Sequence, residues 1–418
     1  MKSKIHLPET PGSALFYVSY AIFMIATVLQ TTMYSYNQYT ERLFELMRYG
    51  AFVLVAVKVI IDLVQEFKAA KGDSSLKKQF LARIGKYALM SGLVLAVSIT
   101  ADERSLIFLL AFLIGAKGED VKKIFRFTMY LQIFLMVYVI LSAELGFIKD
   151  LMFERNGVYT RHSLGYWFPS YVMSYYFFIL LMKFWTETKP IPLRDIGIYE
   201  AINMLLYILT DARLGLVVNT VVILVAFVYS SNRTYNLTNN IVKRVGQKKG
   251  LAKVIAVILD GTPVWLSILT ALLCRFPYSV ATVWANYFLS DRFTLTLNAF
   301  FGYGIHLLGN PIEWIGYGGR TNMFSVATTY NFVDNAYPFI LYQYGLLLFL
   351  GVLWIGVLTA RDVRRTGDWY RYTFYILIFL YCFVEPRLIE LNMNTFMFLS
   401  VPLITRVPAF RKDKGLQS

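Results

Sequence analysis

Charge is scarce in this chain. Only 16% of its 418 residues are Asp, Glu, Lys or Arg, where a soluble globular domain carries roughly 25%, which argues against a soluble enzyme. Cysteine is scarcer still: Cys274 and Cys382 are the only two, too few for a disulfide framework and without the Cys-x-x-Cys spacing of a metal site. The three histidines, His6, His162 and His306, have no ligand spacing either, and no Walker sequence or dinucleotide-binding glycine fingerprint is present. Alternating ten-residue segments are missing, which argues against a β-barrel. No short repeat occurs, which argues against a solenoid or fibre.

What the chain has in quantity is apolar length. Hydrophobic residues make up 57% of it, the mean hydropathy is +0.52, and the apolar runs approach the roughly 20 residues that cross a bilayer as a helix. The expected fold is an all-α polytopic membrane protein, one integral membrane domain over 1–418, with about twelve transmembrane helices. Candidate spans are 14–33, 48–66, 86–100, 104–117, 126–146, 166–185, 197–210, 213–230, 253–274, 336–359, 372–385 and 388–405. Asp102, Glu103 and Arg104 divide the third from the fourth, and Asp211 with Arg213 the seventh from the eighth, so each pair reads as a tight hairpin at one membrane face.

The net charge of +15 then reports orientation rather than nucleic acid. With both termini cytoplasmic, 29 of the 41 basic residues fall on the cytoplasmic side and 11 outside, as the positive-inside rule expects; Lys58 lies within a span. Of the 11 outside, ten are Arg and only Lys149 is Lys, whereas Lys prevails inside. A guanidinium grips phosphate through a planar two-point contact that an ammonium lacks, so the bias suggests an anionic ligand outside; contact with ordinary lipid headgroups is the plainer explanation. One extracytoplasmic loop is long, 275–335, with apolar stretches suited to short interfacial helices and with Pro311, Gly316, Gly318 and Gly319 as breaks.

Five outer segments carry candidate chemistry. In the first, Arg161 follows the turn around Gly157 and can present donors to a phosphate, while Tyr166 and Trp167 can stack on a sugar or simply form the interfacial aromatic belt. In the second, Arg213 opens a helix beside Asp211: it pairs with that carboxylate or binds an anion. The third offers Arg292 for phosphate and His306 as a base, or as a hydrogen-bonded core histidine. The fourth is Asp334-Asn335-Ala336-Tyr337, where Asp334 is a candidate base at a membrane edge and Asp-Asn is equally a helix cap. The fifth is Glu385-Pro386-Arg387 with Glu390, Asn392 and Asn394, in which Glu385 and Arg387 either pair or line the same outer cavity. Within the spans, Lys58 and Asp62 are spaced to neutralise each other, and Asp260 beside Gly261 and Pro263 is a candidate ion-pathway acid.

Taken in order, Arg161-His162-Ser163-Leu164-Gly165-Tyr166, Asp211-Ala212-Arg213-Leu214-Gly215, Leu289-Ser290-Asp291-Arg292-Phe293 with Gly304 and Gly309, Asp334-Asn335-Ala336-Tyr337 with Tyr344-Gly345, and Glu385 with Asn394 resemble the Wzy-type repeat-unit polymerases of capsule, exopolysaccharide and O-antigen synthesis. The resemblance covers most of the chain. It implies an architecture similar to the membrane glycosyltransferase C-type fold, in a bacterial cytoplasmic membrane. It implies a metal-independent glycosyltransferase that moves a growing glycan from undecaprenyl diphosphate onto a new lipid-linked unit. No metal, cofactor, nucleotide sugar or nucleic acid is implied; a chain-length regulator and a flippase are the expected protein partners. By the same resemblance Arg161, Arg213 and Arg292 hold the diphosphate; Asp334 is the first choice of base, with His306 and Glu385 as alternatives; and Tyr166, Trp167, Asn335 and Tyr337 contact sugar. O-antigen ligases are similar but show a His-Asn pair where this chain has Asp334-Asn335, and Phe168-Pro169-Ser170 departs from the His-Pro-Asn of the family. A ligase, a lipid-linked oligosaccharide transporter and a membrane scaffold are the competing readings.

Overall fold

The structure is a computed structural model that describes residues 11–155, 159–187, 191–230, 236–237, 249–316 and 330–407. Gly157, Gly318 and Gly319 lie outside these. The chain runs α1 (Pro11–Gln30), α2 (Gln38–Ala69), α3 (Ser74–Thr100), α4 (Ser105–Gly115), α5 (Val121–Glu144), α6 (Pro169–Thr186), α7 (Leu193–Thr210), α8 (Arg213–Ser230), α9 (Lys249–Asp260), α10 (Thr262–Arg275), α11 (Val280–Leu289), α12 (Arg292–Tyr303), α13 (Ala336–Arg365), α14 (Trp369–Cys382) and α15 (Val401–Thr405). A small antiparallel hairpin, β1 (Met152–Arg155) with β2 (Tyr159–His162), interrupts the helices between α5 and α6 and pairs Phe153 with Arg161.

Local chemistry explains the boundaries. Asp73 and Asp120 accept backbone N–H bonds as N-caps of α3 and α5, which satisfies donors a helix leaves orphaned at its start. Asp102 and Asp211 take left-handed φ of 50° and 41° and turn α3 into α4 and α7 into α8, as the two expected hairpins require; short polar residues tolerate that conformation best after Gly. α6 is buried on nearly every side, the pattern of a helix apolar all round at the centre of a bundle. Elsewhere Phe16 and Tyr20 of α1 interlock with Phe112 of α4 and Phe398 in edge-to-face and stacked pairs.

Among the described residues four helices are long and apolar enough to cross a membrane: Gly12–Gln30, Ser74–Thr100, Val121–Glu144 and Ala336–Arg365; the pair Lys253–Asp260 and Thr262–Arg275, bent by 65°, makes a fifth if taken as one span. The chain is thus a helical membrane protein of several passes. The expected fourth span is only 11 residues long in α4, roughly 16 Å at 1.5 Å per residue, half the thickness of a bilayer core. The expected twelfth is not a continuous helix: 388–394 is irregular, Thr395–Ser400 is a 3-10 turn and α15 has 5 residues. Irregular backbone at such depth persists where protein buries it, and here Asn392 O accepts from Gln132 Nε2 at 2.7 Å while Asn394 Nδ2 donates to Leu388 O at 2.7 Å.

Polar contacts sort into two ends. At one end Lys58 bonds Asp62 and Lys117 O, Glu66 meets Arg83 and Lys117, Ser13 donates to Glu119, and Lys86 donates to Leu403 O. Asp260 belongs to this end: Arg364 grips both its oxygens at 2.9 Å and Tyr372 donates to it at 2.9 Å. A carboxylate so paired is a structural tie at the bend of α9 and α10 rather than an open ion ligand. At the other end Trp167 N donates to Thr31 O, Gln343 Nε2 to Ala101 O, and Arg161 Nε to Thr210 O. The candidate arginines Arg161, Arg213 and Arg292 and the acids Asp334 and Glu385 belong to this second end.

Candidate functional site

Three chain segments converge to form the site. α12 opens with Arg292 directly after Ser290 and Asp291, both left-handed at φ 55° and 59°. α13 is capped by Asn335, whose Oδ1 accepts from Tyr337 N at 3.0 Å, and the cap places Asp334 just outside the helix. α14 ends at Cys382 and the following turn carries Glu385, Arg387 and Glu390.

One guanidinium nitrogen joins the acids. Arg292 Nη2 lies 3.8 Å from Asp334 Oδ2 and 3.5 Å from Glu385 Oε1, and Nη1 donates to Asp334 O at 3.5 Å. Glu385 Oε2 is 3.9 Å from Arg387 Nε, and Arg387 Nη1 donates to both oxygens of Glu390 at 2.9 and 3.0 Å. Arg387 also sits over the ring of Tyr171 at 4.4 Å, a cation–π contact worth up to about 2 kcal/mol when desolvated. The result is an alternating series of charge, Asp334–Arg292–Glu385–Arg387–Glu390. Burial opposes charge on Arg387, but Glu390 and Tyr171 outweigh it and hold the guanidinium well above its ordinary range. Asp334 is the more open of the two carboxylates that flank Arg292: its side chain is 25% exposed, against 9% for Glu385, while Glu390, at the far end of the series, is 31% exposed.

Arg161 and Arg213 meet at a neighbouring turn. Arg161 donates to Thr210 O at 3.0 Å, and Arg213, 62% exposed, lies 3.4 Å from Asp211 Oδ1. The hairpin bearing Arg161 is locked by Asp150, whose carboxylate meets His162 Nδ1 at 2.5 Å and accepts from Leu164 N at 2.7 Å. An aromatic column ties this turn to the acid series: Phe153, the strand partner of Arg161, stacks on Phe168 at 6.0 Å, Phe168 on Tyr171 at 6.1 Å, and Tyr171 lies under Arg387.

Several expected site residues do other work. Tyr166 is 0% exposed and Tyr337 1%, the latter donating to Phe379 O at 2.9 Å, so neither ring offers a face to a sugar. Asn335 is buried as the cap of α13 and donates to Thr270 Oγ1 at 3.0 Å. Trp167 is tied through Nε1 to Ser35 Oγ at 3.0 Å, with its ring against Tyr36. His306 is exposed rather than buried; its Nε2 meets Tyr303 O at 2.9 Å, and its carbonyl accepts from Leu346 N where α13 is broken at Gly345 (φ 82°). A side chain on Gly345 would run into the backbone of Gly309, so these two glycines let the loop dock into the break. Among the described residues the partners of His306, Tyr303 and Leu346, lie outside the acid series.

Tyr171 is invisible at the level of sequence, because an aromatic in the first turn of an apolar helix carries no sign of a cation above it. Arg387 and Glu390 stand out only as charges near Glu385. Among the described residues no three His, Cys, Asp or Glu side chains gather as metal ligands. No family model, curated protein or solved structure matches this chain.

Proposed function

We propose that this protein is a metal-independent membrane glycosyltransferase of the Wzy polymerase type. It extends undecaprenyl-diphosphate-linked oligosaccharides at the outer face of the bacterial cytoplasmic membrane. In this reading the twelve candidate segments cross or enter the bilayer, the end bearing Asp334 faces outward, and the architecture is of the glycosyltransferase C type. The observation that carries the reading is Asp334: a partly open carboxylate, beside a guanidinium it shares with a buried acid, at the end of the bundle where Arg161 and Arg213 also gather.

The chemistry follows from those positions. Asp334 takes the proton from the acceptor hydroxyl. The freed oxygen pair forms the new bond to the donor sugar's anomeric carbon, and the bond from that carbon to the lipid diphosphate breaks. The departing diphosphate carries the charge that develops, and preorganised guanidinium groups stabilise it. Arg213, the most open of the three arginines, is the primary grip, with Arg161 behind it. Arg292, already between two carboxylates, chiefly sets the position of Asp334. Glu385 is the buried counter-charge, and His306 stands apart from the reaction. The transporter reading loses its intramembrane acid, because Arg364 and Tyr372 already occupy Asp260.

The test is deletion of the protein followed by examination of the cell's lipid-linked and surface glycan. Single repeat units should still reach the surface while long chains vanish. Units that accumulate inside instead would make the protein a transporter.

A further inference from the structure

The long outer loop opens with an apolar helix that has almost no protein over one side. From Phe276 to Ser290 the chain carries no Asp, Glu, Lys or Arg. Tyr278 is 95% exposed, Val280 74%, Val283 56%, Trp284 57%, Tyr287 77% and Phe288 70%. Large contiguous apolar surfaces of this kind mark contact with another phase or molecule.

The polar groups of α11 are used up on the inner side. Thr282 is buried and its hydroxyl donates to Leu273 O and Phe276 O at 3.0 and 2.8 Å. Asn286 Oδ1 accepts from Phe293 N at 3.0 Å while Nδ2 donates to Thr294 Oγ1 at 2.9 Å. The outer side is therefore left with apolar groups and the tips of Trp and Tyr. A glycan platform needs amides or acids to bond sugar hydroxyls, and none points that way. A Trp and Tyr surface with apolar rings and only polar tips is instead suited to the boundary of a bilayer.

Continuity with α10 selects the occupant. Ile268, Leu272 and Phe276, spaced by four, are all exposed and so form one outward stripe of that helix. The stripe runs past Arg275, a cation at the helix end, into Tyr278 and Val280. We propose that α11 lies in the outer leaflet with its apolar side against acyl chains, as an interfacial anchor. The two left-handed residues Ser290 and Asp291 then turn the chain directly into Arg292, so this anchor sets the depth of the acid series at the edge of the lipid. The inference rests on the membrane character of the chain and is independent of the polymerase reading.

The experiment places a nitroxide label at Val280→Cys and, separately, at Tyr287→Cys in the full chain with Cys274→Ser. The protein is reconstituted in vesicles of phosphatidylcholine and phosphatidylglycerol. Relaxation of the label by oxygen, which concentrates in lipid, is compared with relaxation by a water-soluble nickel chelate. At both positions the ratio of oxygen to nickel accessibility should exceed one. A ratio below one places the helix in water and overturns the proposal. Labels that neither agent reaches mean that protein covers the surface, from this chain or a second copy, and overturn it equally. Two labels guard against one variant that fails to fold.

Discussion

Replacing Arg292 by Met removes the one cation shared by Asp334 and Glu385. The attractions it makes at 3.8 and 3.5 Å amount to about 4 and about 5 kcal/mol at the effective dielectric of about 20 that suits protein sites. Desolvation of three charged groups offsets most of that gain, and the measured cost of leaving a buried partner unpaired is about 3–5 kcal/mol. Arg292→Met should therefore unfold in detergent with a loss of that order. The loss should shrink when Asp334→Asn and Glu385→Gln are added, since the charges left stranded are then gone. A triple variant no more stable than Arg292→Met alone would refute the charge-series account.

Other outcomes follow from the same geometry. Arg213→Lys keeps the charge but not the two-point grip, and should shorten surface glycan with unchanged membrane abundance; full-length chains would remove Arg213 from diphosphate binding. His306→Ala should leave chain length as in the parent, read on a glycan gel, because its partner is the Tyr303 carbonyl. Arg364→Met strands Asp260 at 4% exposure and should cost about 3–5 kcal/mol of stability while the protein that does fold makes chains of normal length; loss of activity at normal stability would return Asp260 to a working role.

Much of the fold was legible because apolar runs and their charged breaks are local signals. Asp102 and Asp211 sit at the turns their sequence suggests, and the helices α1, α5 and α13 follow three of the long runs. The twelfth segment misled because an apolar run does not say whether protein or lipid buries it, and its irregular backbone depends on Gln132 from α5, 260 residues away. The hairpin β1–β2 was missed because four-residue strands between two helices leave little period to read. In the site Arg292, Asp334 and Glu385 meet. Tyr166 and Tyr337 lie buried, which their sequence does not show, because an aromatic near a membrane edge looks the same whether it faces a ligand or the core.

The central claim is that Asp334 removes the acceptor proton, and the direct measurement is chain extension by the purified full chain in vesicles supplied with lipid-linked repeat units alone. The parent should build a ladder of lengths without nucleotide sugar, and Asp334→Asn, at equal abundance and stability, should leave single units. A ladder of normal length from Asp334→Asn would contradict the account.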